Sequence, residues 1–415
     1  MQCSEKYVMI IFSQPKKVGF AYKFGGNPLI RSTLKKITAS LLALVFVFSL
    51  FACKAKPKLP EAAGIDTLPA ETPIVKINDY VVTWDLYYYF LNYITSSMLN
   101  YMSYYGMDAT DWSVPEEFEG SGKSYYEYAV ENAYAGLKWY IAIYLKADEA
   151  GVEWTDELQA QLEAEYDQMT VSYGTEEAAI EAMAEQGLVK SSLLWLLKAE
   201  ILNGEVLEKI YGEDCKNYPD DKAEKFITEN DYFRAQHILL MTTDDAGVDF
   251  DDDKKAVILE QINAIVDDLN AYDGDDFGAY FSELMKEKSE DPGSTTFPDG
   301  YVFTDGDMVT EFFDEAKVLE VGAFSKEPVK TSYGYHILYK LALSPDDSYT
   351  NNSSGVTKTL RAFAAEAELN VELNAKTEAM QITELEGLSK FNFEDVFVKP
   401  LLAEPEPSGT TEITN

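Results

Sequence analysis

Residues 231–240 read Asp-Tyr-Phe-Arg-Ala-Gln-His-Ile-Leu-Leu, and this stretch decides the fold of the central part of the chain. Its polar start followed by a short apolar run indicates the end of a helix and then a buried strand. Residues 334–338, Gly-Tyr-His-Ile-Leu, form a second short run of the same kind. The chain contains only two histidines, and His237 and His336 lie one in each run. Because histidine tunes its proton and hydrogen-bonding state near neutral pH, we predict that the two strands bring this pair together in one site.

The segment between the two strands has helical periodicity that is interrupted by one further strand. Apolar residues repeat on one helical face within 258–269, a second helix is indicated at 277–284, and a third short helix at 306–312. The predicted order is a strand, three helices interleaved with a strand, and two closing strands, the first of them at 328–331. An acidic loop at 244–253 lacks the glycine and glutamate spacing of an EF-hand, so we predict a solvated loop without calcium.

The N-terminus has the pattern of an export signal. Residues 37–52 are nearly all apolar and follow three basic residues. The run would make about 24 Å of helix, which is short for a membrane span of about 20 residues. Residues 50–53, Leu-Phe-Ala-Cys, resemble the lipobox of bacterial lipoproteins, so Cys53 is the predicted lipidation site; the alternative is a cysteine that lies by chance near the end of the signal. Residues 1–29 are either a long positive region or the result of a misassigned start.

The charge of the chain bears on its partners. Lys and Arg total 34 against 72 Asp and Glu, which gives a net charge of −38 and a pI near 4.3. Nucleic acid is excluded as a partner because phosphate binding needs clustered basic side chains. The acidic surface either serves solubility or attracts cationic and partly unfolded proteins. Cys215 is the cysteine outside the signal and the lipidation site, and its acidic neighbours favour an inert structural thiol.

The part of the chain before the central segment is rich in helix and in tyrosine. Residues 74–82 predict a small hairpin, and helical patterns follow from Trp84 to about Tyr211. Fourteen of the 28 tyrosines lie between Tyr80 and Tyr144. They form either an aromatic core whose hydroxyls reach the surface or a surface that binds extended peptides.

Four motifs of the central segment, taken together, resemble the parvulin-type peptidyl-prolyl isomerases. They are His-Ile-Leu at 237–239, Gly-x-Met-x-x-x-Phe at 306–312, Glu-Val-Gly-x-x-Ser at 320–325, and Pro-Val-Lys-Thr-x-x-Gly-Tyr-His-Ile at 328–337. The resemblance covers residues 232–343. The whole chain is similar to the PrsA-like foldase lipoproteins of Gram-positive bacteria and, more distantly, to the SurA-like periplasmic chaperones.

Two positions depart from the parvulin pattern. Met241 stands where a basic residue often follows the first strand, which puts selectivity for acidic residues before proline in doubt. Residues 298–301, Pro-Asp-Gly-Tyr, replace the usual Gly-Asp-Leu-Gly, which changes the rim of the pocket.

The resemblance implies an α+β fold in which a parvulin domain of FKBP-like βα3βαβ2 order is inserted into a mostly helical SurA-like chaperone domain. The implied segments are a signal peptide with an n-region extension at 1–52, a lipidated linker at 53–73, a helical chaperone domain at 74–230, the parvulin domain at 231–344, a C-terminal helix at 355–390 that packs on the chaperone domain, and a disordered tail at 402–415.

The resemblance also assigns roles by position. The implied catalytic set is His237, His336, Asp291 and Thr331. The implied substrate-binding set is Met308, Phe312, Met241 and Phe303, in which Met308 and Phe312 form the apolar floor under the proline ring. No cofactor is expected, and two histidines on separate strands without a cysteine cluster do not predict a metal site. Rotation about an X-Pro bond faces a barrier of about 18–20 kcal/mol and breaks no bond, so the expected chemistry is tighter binding of the twisted amide than of either planar form.

The implied function is that of an extracytoplasmic foldase, anchored to the cell membrane by lipid, that isomerises X-Pro bonds and assists the folding of exported proteins. Its implied partners are unfolded or partly folded exported proteins, proline-containing peptides, and the membrane through the lipid. The alternative is a non-catalytic holdase with a degenerate parvulin domain, and a solute-binding lipoprotein is a more remote rival. The sequence leaves a monomer and a homodimer both open.

Overall fold

A computed structural model of the protein describes residues 64–399 apart from Ala109, Glu119, Glu185 and Asp245. The predicted signal peptide, Cys53 and the predicted tail at 402–415 lie outside the described residues. The described chain divides into two compact units. Unit one contains the residues up to Ile210 and those from Glu368 onward, and unit two is Tyr211–Ala367.

The helices of the described residues are α1 (Trp84–Tyr105), α2 (Tyr125–Ala150), α3 (Asp156–Val171), α4 (Glu176–Ala184), α5 (Lys190–Tyr211), α6 (Asp220–Glu229), α7 (Asp252–Ala271), α8 (Phe277–Lys288), α9 (Thr310–Val318) and α10 (Leu360–Ala379). The strands are β1 (Pro73–Ile77), β2 (Tyr80–Thr83), β3 (Phe233–Met241), β4 (Tyr301–Phe303), β5 (Val329–Lys330), β6 (Gly334–Leu341), β7 (Ser348–Thr350), β8 (Thr357–Thr359) and β9 (Ile382–Glu384). No helix in this part of the chain is both long and apolar enough to span a bilayer.

Unit one joins helices to a small antiparallel sheet of order β2-β1-β9. Local sequence fixes the helix ends. Ser124 and Glu127 form a capping box at the start of α2, which ends at Gly151 in the left-handed conformation with φ of 67°. The packed part of this unit begins before β1, because Ile65 is buried and its carbonyl accepts a hydrogen bond from Trp84 Nε1 at 2.6 Å. Ile65, which lies in the segment 53–73 predicted to be a linker, is therefore part of the packed unit.

The tyrosines of α1 divide between the core and the surface. Tyr87, Tyr88 and Tyr89 are buried near the start of the helix. Tyr104 and Tyr105, near its end, are 67% and 51% exposed. The tyrosines at the start of this helix therefore belong to the core, and those at its end are exposed.

The chain returns to unit one after the central segment. Strand β9 pairs with β1, with Lys76 opposite Thr383. Lys376 of α10 also donates to Glu149 of α2 at 2.5 Å. The predicted insertion of the central segment between helical parts is thereby confirmed.

Unit two contains a four-stranded antiparallel sheet of order β4-β3-β6-β5. One face packs on α7 and α8 around Ile238, Phe281 and Ile337. The other face packs on α9 around Phe312 and Leu338. Helices α7 and α8 begin at aspartate caps, with Asp251 and Asp276 accepting from backbone N–H groups at 2.8 and 2.9 Å. The predicted βα3βαβ2 order is confirmed, and its third helix before β4 is a 3-10 turn, Pro292–Thr295.

Two predicted elements lie elsewhere than expected. The short helix predicted at 306–312 is α9, which begins at Thr310, because Gly306 has φ of 88° and cannot be its first turn. Residues 357–359 within the predicted C-terminal helix form β8, which pairs with β7 as a hairpin that the sequence reasoning missed. The helix α10 runs from Leu360 to Ala379, and residues 382–384 of the helix predicted at 355–390 form β9. Cys215 is buried, and burial raises the pKa of its thiol.

Candidate active site

The register of β3 against β6 brings the two histidines together. His237 lies opposite Leu338 and His336 lies opposite Leu239, so the two imidazoles project from one face of the sheet, with the Ile238–Ile337 pair between them. Their ring centroids are 5.2 Å apart, with an angle of 48° between the planes. Both side chains are buried. The pairing expected from the sequence is thus present in the structure.

The Nε2 atom of each histidine lies near an oxygen of another side chain. Thr331 Oγ1 is 2.9 Å from His336 Nε2 and also accepts the backbone N–H of Tyr333 at 3.1 Å, which leaves the threonine hydroxyl hydrogen available for the imidazole. Asp291 Oδ2 is 3.5 Å from His237 Nε2. Asp291 is held by its role as N-cap of the 3-10 turn, where its Oδ1 accepts from the Gly293 N–H at 3.1 Å.

An aromatic floor lies against the histidine pair. The edge-on ring of Phe312 from α9 is 5.1 Å from His237 and 5.6 Å from His336, at interplanar angles of 86° and 85°. Phe303 lies behind it, 5.5 Å from the Phe312 ring and fully buried. Met308 is half-buried against the same cluster.

The structure brings together most of the predicted site residues. His237, His336, Asp291, Thr331 and Phe312 meet in one cluster. In the remaining predicted set, Phe303 supports the Phe312 ring from below and has no exposed surface for a substrate. Met241 lies at the end of β3 opposite Gly334, two residues beyond the partner of His336, and its N–H donates to Glu290 Oε2 at 2.6 Å.

Tyr301 is a member of the site that the sequence reasoning did not assign. It pairs with Ala235 across β4 and β3, and its ring stacks on His237 with centroids 5.6 Å apart and planes at 30°. Its hydroxyl donates to Asp291 Oδ2 at 2.7 Å. The available signal was the departure at 298–301, where an aromatic residue stands in place of the glycine of the parvulin pattern.

Burial keeps both imidazoles neutral. It lowers the pKa of His237, against an opposing effect of Asp291, and lowers the pKa of His336 to about 3 with a further contribution from His237. The buried Nδ1 atoms of both rings have no hydrogen-bond partner among the described residues. Such unpaired groups cost about 1–3 kcal/mol each and are concentrated where function demands them. The arrangement places two buried imidazoles and the Asp291 carboxylate beside an apolar floor.

Comparison with known proteins gives this segment a family. The model of the family described as "Rotamase: PPIC-type PPIASE domain" matches residues 237–342. This segment is a parvulin-type peptidyl-prolyl isomerase domain. The match begins at the first histidine, within β3, and ends just after β6.

Two relatives that match more of the chain than this segment are foldases. The foldase protein PrsA of Geobacillus kaustophilus is 32% identical over 186 residues, which are 44% of this chain and 54% of that protein. The foldase protein PrsA of Clostridium tetani is 23% identical over 374 residues, 84% of this chain and 94% of that protein. The chain thus spans about half the length of the first of these relatives, and 42% of a Campylobacter jejuni relative. Among solved structures, PrsA from Bacillus subtilis matches with a TM-score of 0.24 and 20% identity, covering 65% of this chain and 91% of that one.

Proposed function

We propose that the chain is a membrane-anchored, extracytoplasmic foldase whose parvulin-type domain isomerises X-Pro bonds in exported proteins. The observation that carries the proposal is the pair of buried imidazoles, whose ring centroids are 5.2 Å apart, beside the edge-on ring of Phe312. The match of residues 237–342 to the isomerase family and the PrsA relatives support it.

The geometry suits a reaction in which a bond rotates and none breaks. The barrier of about 18–20 kcal/mol comes from amide resonance, which is lost in the twisted amide. A proline ring against Phe312 and the half-buried Met308 would be gripped by apolar contact while the rest of the peptide turns. Fixed uncharged dipoles in a dry pocket stabilise the twisted amide without having to reorient. The Thr331 hydroxyl then serves to orient the His336 imidazole.

A proline-limited refolding assay tests the catalytic proposal. We expect His237→Ala and His336→Ala each to lower the rate acceleration by at least about tenfold, because each removes a preorganised polar group from the pocket. Val257→Ala, at an exposed position of α7 outside the site, is the matched control and should keep the rate of the intact chain. Equal rates for all four proteins would favour the non-catalytic holdase instead.

A holding function has its own structural support at the end of α1. Tyr101, Tyr104 and Tyr105 are exposed there, and Phe118 contacts Tyr101 edge-on with centroids 5.1 Å apart. Asp108 and Asp111 follow these tyrosines closely in sequence, and no Lys or Arg occurs between residues 76 and 123. Hydrogen bonds from neighbouring hydroxyls lower the pKa of both aspartates, so both stay charged. Exposed rings within a negative surface suit extended client segments that carry basic and aromatic side chains.

The holding function predicts a separation of activities. A triple Tyr101→Ser, Tyr104→Ser, Tyr105→Ser variant should suppress the aggregation of an unfolded client several-fold less well than the intact chain, while its isomerisation of a short proline peptide is unchanged. The control is a double variant, Val171→Ser with Ile180→Ser, which replaces two exposed apolar residues of unit one outside α1. Equal aggregation suppression by the triple variant, the control and the intact chain would contradict a role for this surface.

Anchoring is proposed at Cys53, on the basis of the lipobox resemblance. Two or more acyl chains hold a protein on a bilayer, whereas anionic headgroups repel an acidic chain. We expect cells that express the intact chain to incorporate a labelled fatty acid into it and to retain it with membranes, and Cys53→Ser to abolish both. Label in the Cys53→Ser variant equal to that in the intact chain would contradict this site.

A further inference from the structure

We infer that Tyr301 is a positioning residue that keeps the Asp291 carboxylate from pairing with His237, so that this histidine remains a neutral imidazole in the site. Its effect on catalysis rests on the proposed isomerase function, whereas its effect on His237 does not.

The distances show that Tyr301, and not His237, is hydrogen-bonded to the Asp291 carboxylate. The Tyr301 hydroxyl donates to Asp291 Oδ2 at 2.7 Å, while His237 Nε2 is 3.5 Å from that same oxygen. Hydrogen bonds from nitrogen to oxygen fall between about 2.7 and 3.2 Å. Tyrosine therefore makes the hydrogen bond to this oxygen, and histidine has a longer electrostatic contact.

The surrounding backbone is shaped to admit the tyrosine. A Cβ at position 293 would lie 1.9 Å from the Tyr301 hydroxyl oxygen, so only glycine there leaves room for it. Gly300 precedes the tyrosine with φ of 91°, and a Cβ on it would lie 2.8 Å from the Ala235 carbonyl oxygen. With these two glycines, the Tyr301 ring reaches both the His237 ring and the Asp291 carboxylate. Since the parvulin pattern has glycine where this chain has Tyr301, the hydroxyl is a feature of this chain.

Loss of the Tyr301 hydroxyl would change the hydrogen-bond partner of His237. The titratable groups facing His237 are Asp291, Tyr301 and His336, and Phe312 contributes an apolar edge from α9. The neighbouring Glu290 carboxylate accepts the Met241 N–H. Without the tyrosine hydroxyl, Asp291 Oδ2 loses its donor and becomes free to accept from His237 Nε2–H. An opposite charge that hydrogen-bonds the imidazolium favours it, so the pKa of His237 rises.

NMR titration of the histidine rings in the intact chain measures the pKa of His237 directly. The chain has two histidines, so their signals are assigned by comparison with a single His336→Gln variant. In Tyr301→Phe, which keeps the ring and removes the hydroxyl, the His237 titration midpoint should rise by about one pH unit or more. Tyr349→Phe is the matched control: it removes a hydroxyl that donates to Asp307 Oδ2 at 2.9 Å in the same unit, and it should leave His237 unchanged. An unchanged His237 midpoint in folded Tyr301→Phe would overturn the inference.

Two further variants keep the test decisive. Gly293→Ala should displace the hydroxyl without altering Tyr301 and raise the His237 midpoint in the same direction, which provides a second route if Tyr301→Phe does not fold. The effect of Tyr301→Phe should vanish in an Asp291→Asn background, because no charge remains to pair. A shift that persists without the Asp291 charge would also overturn the inference.

The pH profile of isomerisation separates this inference from the proposed function. The intact chain should keep its rate from pH 8 to about pH 5, whereas Tyr301→Phe should lose activity as the pH falls through the raised midpoint and the imidazolium forms. A raised midpoint in a chain without isomerase activity would sink the proposed function and leave the inference standing. An active chain in which Tyr301→Phe has the same profile as the intact chain would refute the inference alone.

Discussion

Replacing Gly334 with alanine is expected to destabilise the parvulin-type domain by about 3 kcal/mol or more. The added Cβ would lie 2.1 Å from the Leu240 carbonyl oxygen and 2.9 Å from the Met241 Cα. Both atoms belong to the backbone of β3, so the contact is relieved only if β3 and β6 separate at this end. Gly334 also accepts the Thr331 N–H at 2.9 Å through its carbonyl, so the threonine beside His336 would be displaced as well.

Amide hydrogen exchange across β3 and β6 measures this effect. All five tryptophans precede residue 210, so their fluorescence reports unit one and should be unaffected. Gly278→Ala in α8 is the control. Its Cβ would meet the Tyr339 hydroxyl oxygen at an ordinary 3.4 Å, and a helical glycine replaced by alanine should stabilise by about 0.5–1 kcal/mol. Exchange protection in Gly334→Ala equal to that of the intact chain would show that the strand ends tolerate a side chain.

Phe312→Ala is expected to affect both stability and activity. The ring is 2% exposed and contacts both imidazoles edge-on, and removing such a side chain costs about 3–5 kcal/mol through lost burial and the cavity left behind. We expect the isomerisation rate per folded molecule to fall at least about tenfold, because the proposed floor under the proline ring is gone. Phe312→Leu should keep an apolar floor and lose less of both.

Phe281→Ala separates the two effects of Phe312. Phe281 is fully buried on the opposite face of the same sheet and belongs to the cluster around Ile238 and Ile337. The variant should lose about as much stability as Phe312→Ala, and its folded fraction should isomerise proline bonds at the rate of the intact chain. The measurement pairs chemical denaturation with a peptide isomerisation assay at low temperature. If the two variants had the same rate per folded molecule, Phe312 would have no role beyond packing.

Much of the site could be predicted because its elements are short and its key residues scarce. A strand of alternating or continuous apolar residues is readable from sequence, and two histidines on two such strands can meet only if the strands are neighbours. The antiparallel register then sets which face they share. The position of Phe303 could not be predicted in this way, because Phe303 and Phe312 are both apolar and only packing decides which ring contacts the imidazoles.

What the sequence missed depends on turns and on long-range pairing. The contact between Tyr301 and Asp291 exists because the 3-10 turn at Pro292–Thr295 folds the chain back on itself, and short turns have little periodicity to recognise. The β7–β8 hairpin was hidden because Thr357–Thr359 runs directly into the helical pattern of α10. The predicted start of α9 at Gly306 is too early, because a sequence motif does not show that Gly306 has a positive φ angle.

The pairing of β1 with β9 sets the order in which the chain can fold. The hydrogen bond from the Gln381 N–H to Asn78 Oδ1 joins residues 303 positions apart, so it is made late when a chain is delivered from its N-terminus. Every residue of the histidine-bearing sheet is present before β9 is made. The isomerase domain can therefore finish folding while β1 still has an open edge, and the sheet of unit one is the last to close.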